Sequence, residues 1–159
     1  MEAQGQIHIR LADAGDDDFI LGLVERFVDF DLPAWRRRGE TAAGIRKDLQ
    51  HHLRDQPAGS HLFVAEDDAG ERIGFLHLQQ TTDFFTGAPN CHISDLAVAS
   101  GHDGRGVGSA LLAYAERWAR DHHCRHVTLA VFPANARARA LYARHGFGDE
   151  VVRMVKPVH

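Results

Sequence analysis

Cysteine is scarce: Cys91 and Cys124 are the two in 159 residues, they lack CxxC spacing, and they build no disulfide framework. A reducing compartment is the simplest home for such a chain. Long apolar runs are missing too. Nothing approaches the roughly 18 consecutive apolar residues of a membrane span. Residues 1–10 hold no apolar signal core, and Leu11 is followed by Asp13, Asp16, Asp17 and Asp18. A cytoplasmic location with no membrane partner is therefore expected. An excess of charge of either sign is also lacking. With 22 acids against 18 Lys and Arg the formal net charge is -4, which gives no reason to expect nucleic acid as a partner. Twelve histidines offset that charge only below about pH 6.5. Repeats and low-complexity linkers are absent, so residues 1–159 read as a single domain, with a homodimer left open.

What remains is an ordinary globular composition, 44% apolar and 25% charged. Residues 7–11 alternate as a strand. Asp16 to Asp18 start a helix, with Phe19, Ile20, Leu23, Val24, Phe27 and Phe30 at helical spacing until Pro33 ends it. A second helix is expected over residues 41–53. Strands follow at 61–65 and 72–78 around an Asp-Asp-Ala-Gly turn, then a loop over 81–90 and a strand over 92–99. Val107, Leu111, Tyr114 and Trp118 form one stripe of a clear helix. A strand over 127–132, a helix over 135–145 stopped by Gly146, and a last strand over 151–155 complete the chain. The order β-α-α-β-β-β-α-β-α-β implies an α+β fold.

The turn Gly104-Arg105-Gly106-Val107-Gly108-Ser109 follows a strand and opens a helix. First-turn backbone N–H groups have no intrahelical partners and sit at the positive end of the dipole. Glycines let a phosphate approach that backbone, so the turn reads as a phosphate or pyrophosphate site. It lacks the Lys of a P-loop, and its G-x-G-x-G spacing is not the dinucleotide G-x-G-x-x-G. Downstream, Asn135 and Tyr142 lie seven residues apart, near one helix face and about 10 Å along its axis, with the small Ala138 between them.

These two blocks, Gly104 through Leu112 and Asn135…Ala138…Leu141-Tyr142…Gly146-Phe147, resemble the GNAT superfamily of N-acetyltransferases. The resemblance implies a mixed, mostly antiparallel twisted sheet flanked by helices on both faces, and acetyl-CoA as cosubstrate. It implies that the backbone of Leu96, Ala97 and Val98 pairs with the pantetheine arm, that residues 104–109 cradle the pyrophosphate, that Asn135 touches the pantetheine chain, and that Tyr142 stands beside the thioester sulfur. Asp103 departs from the family pattern, which usually has Arg or Gln there. A carboxylate at that point is expected to weaken cofactor binding, with Arg105 supplying part of the missing positive charge.

Amine attack on a thioester needs a neutral nitrogen and help for the departing thiolate. A phenol near pKa 10 gives its proton to a thiol near 8.5 only uphill, by roughly 2 kcal/mol. Tyr142 therefore has a lowered pKa or acts as a hydrogen-bond donor to sulfur. Where family members often carry a basic Glu, this chain has Ser94, with Asp95 next to it. Asp95 is the candidate base, directly or through water, although adjacent strand residues face opposite sides and a purely structural carboxylate is the alternative. His77 and His92 are the next candidates.

For the acceptor side, Phe27, Asp29, Phe30, Asp31, Trp35, Asp83, Phe84 and Phe85 would suit a cationic amine. His122, His123, Cys124 and His126 straddle a helix end and a strand start, so no metal site is expected. The expected activity is acetyl transfer to a primary amine of a small molecule or peptide. The alternatives are a non-catalytic acyl-CoA-binding module and a transferase using a longer acyl donor.

Overall fold

The computed structural model describes residues 5–159. Five strands lie in sequence order, β1 (His8–Leu11), β2 (Ser60–Glu66), β3 (Arg72–Thr82), β4 (Pro89–Val98) and β5 (Val127–Leu129). All neighbours are antiparallel except β4 and β5, which run parallel. The helices are α1 (Asp17–Leu21), α2 (Arg38–Asp55), α3 (Val107–Asp121) and α4 (Ala136–Arg144).

The period of two along the strands sorts side chains into two cores. Phe63, Ala65, Leu76, Leu78, Cys91 and Ile93 meet the α3 stripe of Val107, Leu111, Ala115 and Trp118. Val64, Phe75 and Ala97 point the other way, onto Ile20, Val24, Val28, Ala42 and Leu49 from α1, α2 and the segment between them. The expected α+β architecture, a mixed sheet with helices on both faces, is what forms.

Three elements differ from expectation. The helix expected from Asp16 to Phe30 is broken: α1 stops at Leu21, and after Gly22 the chain continues as a tight 3-10 turn over Val24–Phe27. Glycine is a poor helix former, and the turn lets both Val24 and Val28 reach full burial. The strand expected over 127–132 pairs only through Leu129, because β4 bends away there. The last strand, over 151–155, does not form. Val151, Val152 and Met154 are 73–89% exposed, and a β-prone segment with neither a paired neighbour nor a buried face has nothing to hold it extended.

Candidate active site

Beyond the Ile93–Leu129 pair, β4 and the chain after β5 diverge. The split opens a cleft of about 790 Å³, lined on one side by Ile93 to Val98 and on the other by Leu129 to Phe132 and α4. On its β3 side, β4 is paired at Leu96, Ala97 and Val98. Its other edge is unpaired there and faces the cleft, as a pantetheine-binding edge requires. The Val98 carbonyl accepts from Arg26 Nε at 3.2 Å.

The glycine turn stands past the end of this cleft; Asp103 lines it, while residues 104–109 do not. Their roles divide. Gly104 and Gly106 have φ of +77° and +80°, and a Cβ at either would meet nothing within 4 Å. Gly106 ends the turn as the N-terminal cap of α3, where no side chain caps the helix and no acid stands in its first turn. The first-turn N–H donors are thus left for an anion, in open space that a side chain would fill. The turn fits a pyrophosphate. Val107, by contrast, is a core side chain. Gly108 serves packing, since a Cβ there would stand 2.8 Å from Leu141 Cδ2. Ser109 Oγ is hydrogen-bonded to His145 Nε2 at 3.0 Å, tying α3 to the end of α4. Arg105 is exposed.

Asp103 is not the bare carboxylate that the sequence suggested. Arg26 grips both of its oxygens, at 2.8 and 3.0 Å, and Arg137 approaches one at 3.2 Å. Arg26 also reaches Asp29 Oδ2 at 3.3 Å, so two arginines and two carboxylates balance at this rim of the cleft. Neither arginine was singled out by sequence: Arg26 lies 77 residues away, and only the fold brings it over.

Asn135 and Tyr142 both line the cleft from α4. Asn135 also accepts from Ala138 N at 3.3 Å, so part of its work is capping that helix. Tyr142 packs its ring on Phe147 at 5.8 Å, and burial pushes its hydroxyl pKa up. Burial disfavours the phenolate, so the group lining the cleft is a protonated phenol, able to donate a hydrogen bond.

Strict alternation would place Ser94 and Asp95 on opposite faces, and here it fails. The register slips by one residue, with His77 opposite Asp95 and Leu78 opposite Ile93, so Ser94 is the extra residue of a β-bulge. Both side chains turn to the α2 face. Ser94 Oγ accepts from Gln79 Nε2 at 2.8 Å, and Asp95 Oδ2 lies 2.8 Å from His77 Nδ1. Asp95 lines the same cleft as Tyr142, its side chain 10% exposed. His77 is fully buried behind it. His92 instead bonds Thr128 at 2.8 Å, and burial pushes its pKa down.

On the acceptor side Phe27, Asp29 and Phe30 line the cleft, together with Phe132, whose ring sits 5.8 Å from that of Phe30. Phe132 had only been read as the end of a strand. Asp31, Trp35, Asp83, Phe84 and Phe85 are not brought in; Phe84 and Phe85 pack on each other at an exposed loop tip, 92% and 71% exposed. His122 stacks on Trp118 at 3.8 Å and bonds its carbonyl. Among the described residues no helix is long and apolar enough to cross a membrane.

Residues 24–147 match the acetyltransferase (GNAT) family. The streptothricin acetyltransferase of Streptomyces lavendulae is 34% identical over 92 residues, 58% of this chain and 47% of that protein. An aminoglycoside N(6')-acetyltransferase type 1 of Stenotrophomonas maltophilia is 30% identical over 112 residues, 69% of this chain and 71% of that one. This chain thus spans about half the length of the streptothricin enzyme. An aminoglycoside N-acetyltransferase solved in complex with CoA superposes with a TM-score of 0.69 at 21% identity, covering 100% of this chain and 99% of that one, a likeness of fold. From the tight turn at Val24 to Phe147, over both blocks that carry the glycine turn and Tyr142, the chain belongs to the acetyltransferase (GNAT) family.

Proposed function

We propose that the chain transfers an acetyl group from acetyl-CoA to a primary amine, by direct attack of the amine on the thioester. The observation that carries this reading is the convergence on one cleft of an unpaired β4 edge, the Tyr142 hydroxyl and the Asp95 carboxylate. The β4 edge at Leu96, Ala97 and Val98, which pairs with no further strand, would hold the pantetheine arm, and the turn at residues 104–109, open at Gly104 and Gly106, the pyrophosphate. Acetyl-CoA supplies an activated acyl group whose leaving atom is a thiol sulfur.

Asp95 takes a proton from the acceptor nitrogen, freeing the lone pair that forms the new N–C bond. Tyr142 donates a hydrogen bond towards the sulfur as the C–S bond breaks and keeps its own proton; the second proton, shed by the nitrogen as the amide forms, goes to the departing thiolate. Phe27, Phe30 and Phe132 shield the site from water, while Asp95 gives it the negative charge that draws an ammonium. Named relatives act on streptothricin and on aminoglycosides, and a polyamine antibiotic of that kind is the first acceptor to try. The reading also expects the protein to work in the cytoplasm, where acetyl-CoA is made.

The test is a panel of an aminoglycoside, streptothricin, spermidine and a short peptide with a free amino terminus, each with acetyl-CoA, followed by release of free thiol. Amine-dependent release is expected for at least one. Tyr142→Phe keeps the ring and should lower kcat on the order of 10²-fold, with the KM for acetyl-CoA little changed. CoA binding with no turnover on any amine would mark a binding module instead.

A further inference from the structure

Behind Asp95 a line of polar side chains runs through the α2-side core. His77 Nδ1 lies 2.8 Å from Asp95 Oδ2, and His77 Nε2 lies 2.8 Å from Ser60 Oγ. Ser60 Oγ in turn lies 2.8 Å from His52 Nδ1. The line ends at α2, where His52 Nε2 is 3.5 Å from Asp48 Oδ1 at the surface. His77 and His52 are 0% and 7% exposed, and their rings meet edge-on at 4.5 Å. The chain joins three strands and a helix, yet it occupies volume that apolar side chains would fill at lower desolvation cost.

Its protons can be assigned by elimination. An ionised Asp95 only accepts, so His77 Nδ1 carries the hydrogen. A neutral His77 then has a bare Nε2, which must accept from the Ser60 hydroxyl. The Ser60 oxygen is thereby free to accept, and His52 Nδ1 donates to it. Every hydrogen in the line points towards the carboxylate. Protonation of His52 would add a hydrogen at Nε2, facing Asp48, and leave this polarity intact. Burial and the neighbouring His77 lower the His52 pKa. The other titratable groups around the line are His51 on α2, His61 on β2 and His92 on β4.

We propose that His77, Ser60 and His52 are positioning residues for Asp95: they lock the Nδ1–H tautomer of His77, so that one carboxylate oxygen is held and ionised while the other is presented to the acceptor amine. The proposal rests on the reading of Asp95 as the base. Asp95 Oδ1 has no hydrogen-bond donor among the described residues, which leaves it available for that role.

The first experiment needs no substrate. Nitrogen-15 spectra of the histidine side chains at pH 8 should show His77 as the Nδ1–H tautomer alone, and Ser60→Ala should admit the Nε2–H form. An Nε2–H tautomer in the parent protein, or no change in Ser60→Ala, overturns the proposal whatever the activity. On the best amine of the panel, His77→Leu should move the acidic limb of kcat/KM up by about one pH unit, because a carboxylate losing its donor in a buried site becomes a stronger base. The KM for acetyl-CoA should stay unchanged. Ser60→Ala, the milder variant should His77→Leu fail to fold, should move the limb the same way by less, and Ser60→Thr should restore it. A purely structural role would lower the melting temperature of these variants and leave the limb in place. Full turnover in Asp95→Asn would remove the base, and the proposal with it; intact tautomers then show that the failure lies in the reading of Asp95 and not in the hydrogen-bond line.

Discussion

Replacing Gly106 by valine separates two costs that glycine avoids. Gly106 has φ +80° and its Cβ position is open, so the main cost of a valine there is the left-handed backbone. That costs an L-residue about 1–2 kcal/mol, and a β-branched one falls at the upper end. Gly101 is a matched control: its φ is +86°, and its Cβ would likewise meet nothing within 4 Å. Both variants should therefore lose similar stability, a fall in Tm of roughly 2–8 °C for a chain of this size. They should differ in CoA binding. Only at residue 106 does the new side chain stand before the uncapped N-terminus of α3. Losing one charge-assisted hydrogen bond there, about 1.5–3 kcal/mol, predicts roughly 10- to 100-fold weaker binding. Calorimetric titration of CoA, done well below both melting temperatures, reads the difference. Equal affinity in Gly106→Val and Gly101→Val would refute the placement of the pyrophosphate at this turn.

Two further perturbations test charges that the fold has paired. Asp103→Asn removes the carboxylate shared by Arg26 and Arg137 at the rim of the cleft; at low salt CoA should bind on the order of threefold tighter, with the gain fading towards 0.5 M salt, since exposed pairs are screened. Asp16 is fully buried between Arg10 and Arg72, at 2.7 and 2.8 Å, and the hydrogen bonds from Arg10 hold its pKa down at about 2. A depressed pKa gives stability that is present above the ordinary carboxylate value and lost as pH falls from about 4 towards 2, here about 2 kcal/mol. Urea unfolding should show that loss in the parent protein and a much flatter acid limb in Asp16→Asn.

What was legible in the sequence is what depends on local spacing. The α3 stripe, the Asn135 cap of α4, the glycine turn and the hairpin before β3 are set by residues within a few positions of one another, and each stands where the pattern placed it. What depends on distant partners was not legible. Arg26 and Arg137 reach Asp103 only through the fold, one from the 3-10 turn over Val24–Phe27 and the other from α4. Residues 151–155 carry the β-branched pattern of a strand, but pattern alone cannot supply a neighbour to pair with. For the same reason the acceptor-side list kept Phe84 and Phe85 and omitted Phe132: all three are aromatic in sequence, and only one is folded against Phe30.

The largest correction concerns one residue of register. Alternation made Asp95 ambiguous, because a regular strand cannot turn Ser94 and Asp95 to the same face. The bulge does so by inserting Ser94 between the His77–Asp95 and Leu78–Ile93 pairs. It has a second consequence at the same place. A bulge bends its strand and increases the local twist, and the parallel pairing of β4 with β5 ends at Ile93, the residue just before it. The same inserted residue therefore turns Asp95 to the face of His77 and stands where β4 and β5 part. A chain with serine at residue 94 thus still brings a carboxylate, that of Asp95, to the cleft.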